Sequence, residues 1–357
     1  QFLAAPFWGR LSDRIGRRPV LLVSLAGAAL AYVWLGFAES LWVLFAARAA
    51  SGAMAGNISA AYAYIADITT PANRAKGMGV IGAAFGLGFI AGPAIGGILA
   101  GADPVHADFH TPAFAAAGLS FLALVLALIR LEESLSPEIR ASAASNLPGT
   151  GRGKSIAVLR RPRVGLMLLL SFLVIFAFAG MEATFAMWSR RQFGWGPEQN
   201  GYLFAFIGLL SATVQGVMIG HLAQRFGEAR LIRQGVVALA CGIALIPFSD
   251  GLPLLLTAML ILAYGFSVVT PSLNSLISQQ VGEGEQGEIL GITRSVTILA
   301  RVIGPAWAGL LFSTLGKDWP FYGGALVMAV VIYLSSRWLK PESAPDMDSA
   351  KPPDAGN

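Results

Sequence analysis

Cysteine occurs once in this chain of 357 residues, histidine three times, and charged residues make up only 13%. The single cysteine, Cys241, sits in an apolar segment, which excludes a disulfide framework and a cysteine metal cluster. His106, His110 and His221 are too scattered for a metal centre, and the first two lie beside Asp108 and Pro112 in a loop-like stretch. No metal and no cofactor are implied. Soluble domains carry roughly 25% charged residues, so the scarcity of charge excludes that class. The absence of a nucleophile-base pair or a phosphate-binding loop excludes an enzyme. A net charge of +5 does not indicate nucleic acid, because the basic residues lie between apolar runs and form no stripe with aromatics.

What the chain has in place of charge is apolar length: 55% of its residues are hydrophobic. Runs fall at about 20–38, 41–66, 78–100, 112–131, 164–188, 199–221, 233–249, 253–277, 288–313 and 320–338, and residues Phe2–Trp8 read as the end of one more. A helix of about twenty apolar residues crosses a bilayer, and the runs are too long for barrel strands. The expected fold class is therefore an all-α polytopic membrane protein.

The densest charge lies in one turn, Gly9-Arg10-Leu11-Ser12-Asp13-Arg14-Ile15-Gly16-Arg17-Arg18-Pro19. Glycines permit a tight reversal, and basic loop residues stay on the cytoplasmic side. With the turn inside, Arg74, Lys76, Arg140, Arg152, Lys154, Arg160, Arg161, Arg163, Arg225, Arg230 and Lys340 also fall inside, and only Arg190, Arg191 and Lys317 fall outside. This predicts a multi-pass protein of the inner membrane with the turn, the linker and the C-terminus cytoplasmic.

The pattern G-x-L-S-D-R-x-G-R-R in this turn resembles the signature loop between the second and third spans of major facilitator superfamily transporters. That resemblance implies two six-helix bundles, with the first helix and most of the second not in this sequence. Residues 1–131 are then an N-terminal bundle, 132–163 a polar linker, 164–338 a six-helix C-terminal bundle, and 339–357 a disordered tail. An internal repeat supports the division: Gly9 to Gly16 reappears as Gly220 to Gly227 at an offset of 211, and Gly79 and Gly92-Pro93 reappear as Gly291 and Gly304-Pro305 at 212. At those offsets Asp13, Asp67 and Arg74 face Gln224, Gln279 and Gln286. The resemblance then makes Gly9, Asp13, Arg14, Gly16, Arg17, Arg18, Asp67 and Arg74 a cytoplasmic gate, in which Asp13, Arg14, Asp67 and Arg74 lock the halves together when the protein opens outward.

The stretch from Gly82 to Gly97 places Gly88, Gly92, Gly96 and Gly97 at close-packing spacing around the helix-bending Pro93. It resembles the fifth-span motif of drug/proton antiporters, and SDRIGRRPVLL, RAASG, YIADIT and FGLGFIAGPAIGG are similar to tetracycline/proton antiporters. Where those antiporters carry acidic residues this chain has Ala31 and Leu239, and Ser211 replaces their eighth-span histidine while Gln215 is kept. The resemblance therefore implies a substrate other than tetracycline.

Charges within spans are costly and mark functional sites. Arg48, which resembles an arginine those antiporters tie to proton transfer, Glu182 as a proton site or cation partner, and Arg301 as a partner for an anionic substrate are the candidates, with Asn57, Gln215, Tyr264 and Asn274 along the pathway. Glu182 pairing with Arg190 or Arg191, and Arg301 as an interhelical anchor, are the structural alternatives. The expectation is a monomeric transporter in contact with membrane lipid, exporting small amphiphilic or drug-like molecules against protons. Uptake of an organic anion, or a non-transporting receptor or scaffold on the same fold, are the other readings.

Overall fold

A computed structural model describes residues 1–70, 73–135, 162–280 and 286–338. The linker from 136 to 161 and the segment 339–357 lie outside the described residues, as do the side chains of Arg74 and Gln286. Every regular element among the described residues is helical: α1 (Ala5–Ile15), α2 (Arg17–Gly36), α3 (Leu41–Met54), α4 (Ile58–Ile68), α5 (Arg74–Ala100), α6 (His110–Arg130), α7 (Pro162–Phe193), α8 (Pro197–Thr213), α9 (Ile219–Phe226), α10 (Glu228–Leu245), α11 (Leu252–Gln279), α12 (Gln286–Thr314) and α13 (Trp319–Trp338).

Among the described residues, eight helices are long and apolar enough to cross a membrane. Two of the ten expected spans are not among them. The run 41–66 is interrupted by a 3₁₀ turn at Ala55–Asn57 between α3 and α4. There α1 crosses the chain, with the Trp8 indole donating to the carbonyl of Ala53 at 2.7 Å and the Ser59 hydroxyl donating to that of Ala5 at 3.2 Å. The tertiary contact takes up a backbone acceptor beside the break. The other is the run 78–100, which lies within the single helix α5; not all of the side chains in its first turns are among those described.

The main core belongs to the second half of the chain. Phe185, Trp188, Leu239, Ile243, Met259, Leu262 and Phe321 are fully buried among α7, α10, α11 and α13. The first half has a smaller core of Trp8, Val20, Leu21 and Ala60. Outward-facing side chains are also apolar, among them Leu30, Phe121, Ile129, Leu209 and Leu326, as a lipid-facing surface requires.

Candidate functional site

The charged turn is built by Gly16, whose φ of 110° lies where residues with a Cβ are strained and which divides α1 from α2. Gly227, at the same place in the repeat, has φ 74° and divides α9 from α10. In the first turn the hub is Arg17, which is buried. Its guanidinium donates to Asp13 at 2.5 Å, to the Ser12 hydroxyl at 2.7 Å and, through Nε, to Asp67 at the end of α4 at 3.1 Å. Asp67 also accepts from Ser134 at 3.1 Å.

An arginine opening a helix opposes the helix dipole. Glu133 offsets it by accepting from the backbone N–H of Arg17 at 2.9 Å and of Arg18 at 3.3 Å. The cluster differs from the expected one in its hub. Arg17, expected at the gate but not among the four residues of the lock, is the hub, because the turn at Gly16 swings it inward and leaves Arg14 exposed. The partners of Arg17 and Asp67 among the described residues also all come from the first half, so in this conformation the cluster ties α1, α2, α4 and the segment after α6 to one another. Glu133 and Ser134 escaped the sequence reading because they are more than a hundred residues from the turn and carry no motif.

The two halves meet where α5 packs along α8. Asp67 places the start of α5 near the turn, and Gly97 lies about 34 Å along that helix, so this contact is at the opposite end. A Cβ on Gly97 would sit 2.6 Å from the Pro197 carbonyl oxygen, and one on Gly201 would sit 2.5 Å from that of Pro93. The Glu198 N–H donates to the Gly101 carbonyl at 3.2 Å beside them. Gly88, Gly92 and Gly96 have open space where a Cβ would go. The expected smooth face thus makes its backbone contact through Gly97 and the Pro93 carbonyl, because α8 crosses α5 at that end. The repeat partner of Gly92 is packed: a Cβ on Gly304 would meet the Phe176 carbonyl oxygen at 2.5 Å, seating α12 against α7.

Above that α7–α12 crossing the structure brings two of the predicted residues together. Arg301 donates to Glu182 at 3.4 Å, with their side chains 40% and 33% exposed, so the pair lines open space and is not sealed in the core. Two turns earlier on α12, the Arg294 guanidinium lies 5.9 Å from the Phe85 ring of α5, within cation–π range across the two halves.

The other candidates are not gathered in this way. Arg48 is exposed on α3. The amide of Asn57 donates to Ser24 at 2.6 Å, tying the 3₁₀ turn to α2. Gln215 is exposed within a π-helical turn, Val214–Met218, a distortion that often marks functional sites. Asn274 is exposed on α11 and Tyr264 half-buried on it. Glu182 pairs with Arg301, and neither Arg190 nor Arg191 is its partner; Arg191 instead lies over the Phe312 ring at 4.4 Å.

A charged glycine-split turn, a repeat that reproduces it and a bundle of membrane-length helices are matched by comparison. The family model of the Major Facilitator Superfamily matches residues 1–301 and again 216–355. The chain belongs to the major facilitator superfamily. The Tetracycline resistance protein, class C, of Escherichia coli is 33% identical over 339 residues, covering 94% of this chain and 82% of that protein. Multidrug resistance protein 2 of Bacillus subtilis is 29% identical over 95% of this chain and 83% of its own length. In three dimensions the chain is similar to the crystal structure of the human organic anion transporter MFSD10 (TETRAN), with TM-score 0.68 and 31% identity over 94% of this chain and 80% of that one.

Members of this superfamily are transporters and not enzymes, which gives this multi-pass protein a small-molecule substrate. Against its tetracycline-resistance relatives, Ala31 is 4% exposed and Leu239 fully buried, so both positions are filled by core packing and not by a polar pathway.

Proposed function

We propose that this facilitator is a proton-coupled exporter of small amphiphilic or drug-like molecules, working by alternating access. The observation that carries the reading is the Glu182–Arg301 pair, lining open space on helices long enough to span the membrane. A scaffold has no use for such a pair and would bear its cost for nothing. Glu182 is assigned as the proton site. The inward turn, the linker and the C-terminus are assigned to the cytoplasm of an inner membrane, by the excess of basic residues at that end.

On that orientation the Gly97–Gly201 contact closes the outer side and the conformation faces inward. Asp13, Arg17 and Asp67, with Arg74, are then free to engage the second half only after the protein turns outward. The division into bundles 1–131 and 164–338 around a linker is part of the same proposal, as is a monomeric state. The likeness to a human organic anion transporter favours a second reading, proton-coupled uptake of an organic anion.

The test is reconstitution into vesicles containing a pH-sensitive dye, challenged with lipophilic cations, tetracyclines and organic anions. Substrate-triggered proton movement that Glu182→Gln abolishes supports the proposal, and its direction separates export from uptake. Flux with no proton movement in the unaltered protein would overturn the coupling.

A further inference from the structure

Arg301 and Arg294 are seven residues apart on α12, which on a helix of 3.6 residues per turn returns them to one face. Arg294 reaches Phe85 of α5, so this face is turned toward the first half of the chain. Arg301 lies on the same face about 10 Å further along α12, and its side chain is 40% exposed. A carboxylate already rests on Arg301, that of Glu182 on the neighbouring helix, at 3.4 Å. The contact is long for a charge-assisted hydrogen bond, which is typically about 2.7–2.9 Å. The two helices are pinned by backbone contact at Gly180 and Gly304, so the pair cannot tighten by the helices approaching.

We propose that Arg301 is an anion subsite whose resident occupant is Glu182. A substrate carrying a carboxylate or sulfonate on an apolar body enters by taking the place of Glu182 on the guanidinium. This rests on the transport reading above and names the charge of its ligand. The planar fork of an arginine suits either oxyanion, and an apolar body has an aromatic neighbour on this side in Phe85, which Arg294 of the same helix face reaches. No bond is made or broken. One carboxylate is exchanged for another anion on the same cation, so net charge at the site rises by one negative unit when the ligand binds and Glu182 stays ionised.

The test uses calorimetry on the purified protein in detergent, with naphthalene-2-sulfonate and, as a cation of the same body, 2-naphthyltrimethylammonium. Sulfonate affinity should fall at least tenfold in Arg301→Gln. It should rise severalfold in Glu182→Gln, where the competing carboxylate is gone, and a gain in affinity cannot come from misfolding. Weaker sulfonate binding in Glu182→Gln, or loss of cation binding there with sulfonate unchanged, would make Glu182 a cation site and overturn the proposal. Vesicle flux separates the two readings. Flux that persists without this binding pattern removes the subsite and keeps the transporter. The binding pattern without flux of any probe does the reverse.

Discussion

Two turns 211 residues apart share one backbone and opposite electrostatics. Gly16 and Gly227 each break a helix with positive φ, yet the residue after the first is Arg17 and after the second Glu228. In the second half Glu228 is already the acid that a helix N-terminus favours, and it accepts from Ser275 and, at 3.2 Å, from Gln279. In the first half the arginine is unfavourable there, so Glu133 must be brought from beyond α6 to cap the helix while Asp13 and Asp67 hold the guanidinium. The second turn closes with neutral partners from one other helix, α11. The first closes only when two distant segments, the end of α4 and the stretch after α6, arrive together, which makes it the more breakable and the more easily coupled to motion.

The sharpest way to break that comparison is to remove the hub. Arg17→Gln leaves Asp67 and half-exposed Asp13 without their cation, and we expect about 3 kcal/mol of lost stability. Glu228→Gln, whose partners are neutral and partly solvated, should cost less than about 1 kcal/mol. Thermal unfolding in detergent reads both, and equal shifts would mean that the two turns are held in the same way.

Next in size come the glycine contacts, which differ by whether they lie within a half or between halves. Gly304→Ala forces a Cβ onto the Phe176 carbonyl inside the second bundle, and overpacking of that kind costs about 1–3 kcal/mol of stability. Gly97→Ala meets the Pro197 carbonyl across the halves, where separation relieves the clash. Its unfolding should hardly change while transport falls about tenfold, a shift of ~1.4 kcal/mol in the balance of conformations. A Gly97→Ala protein that transports normally would show that the contact is not part of the cycle.

These contrasts also mark what could be read from the amino acids alone. Span length, the repeat and the importance of the turn follow from local pattern, since apolar runs and glycine spacing are properties of neighbouring residues. The likelihood that Glu182 and Arg301 matter could be read from their cost in a membrane, but not that they pair, because the contact depends on the crossing at Gly180 and Gly304. Asp13 and Arg17 are four apart in sequence, yet Gly16 between them ends the helix, so spacing could not rank Arg17 above Arg14. Glu133 is legible only once α6 returns to the turn. The break at Ala55–Asn57 depends on Trp8 crossing from another helix, which no property of the 41–66 run announces.

Glu133→Gln tests the cap by itself. The amide can still accept but carries no charge against the dipole, so we expect a loss of about 1 kcal/mol. The corresponding loss in the second half should follow only from changes at Glu228. If Glu133→Gln leaves stability unchanged while Glu133→Ala lowers it, hydrogen bonding alone supports Arg17.

The smallest effect compares two aspartates 210 residues apart, Asp108 before α6 and Asp318 before α13. Asp318 accepts from the indole of fully buried Trp188 at 2.8 Å, and Asp318→Ala should cost about 1 kcal/mol by orphaning that donor. Asp108 works locally, accepting from the hydroxyl and N–H of Thr111 and the N–H of His110. Those bonds, the Thr111 hydroxyl first, hold its carboxyl below the usual carboxylate range. A value lower in the folded state stabilises the fold above the ordinary carboxylate pKa, and the contribution is lost as pH falls through the depressed one. Asp108→Ala should therefore lie slightly below the unaltered protein in melting temperature at neutral pH and converge with it on acidification. A gap that widens toward acid would mean that the protonated carboxyl is the form that caps α6.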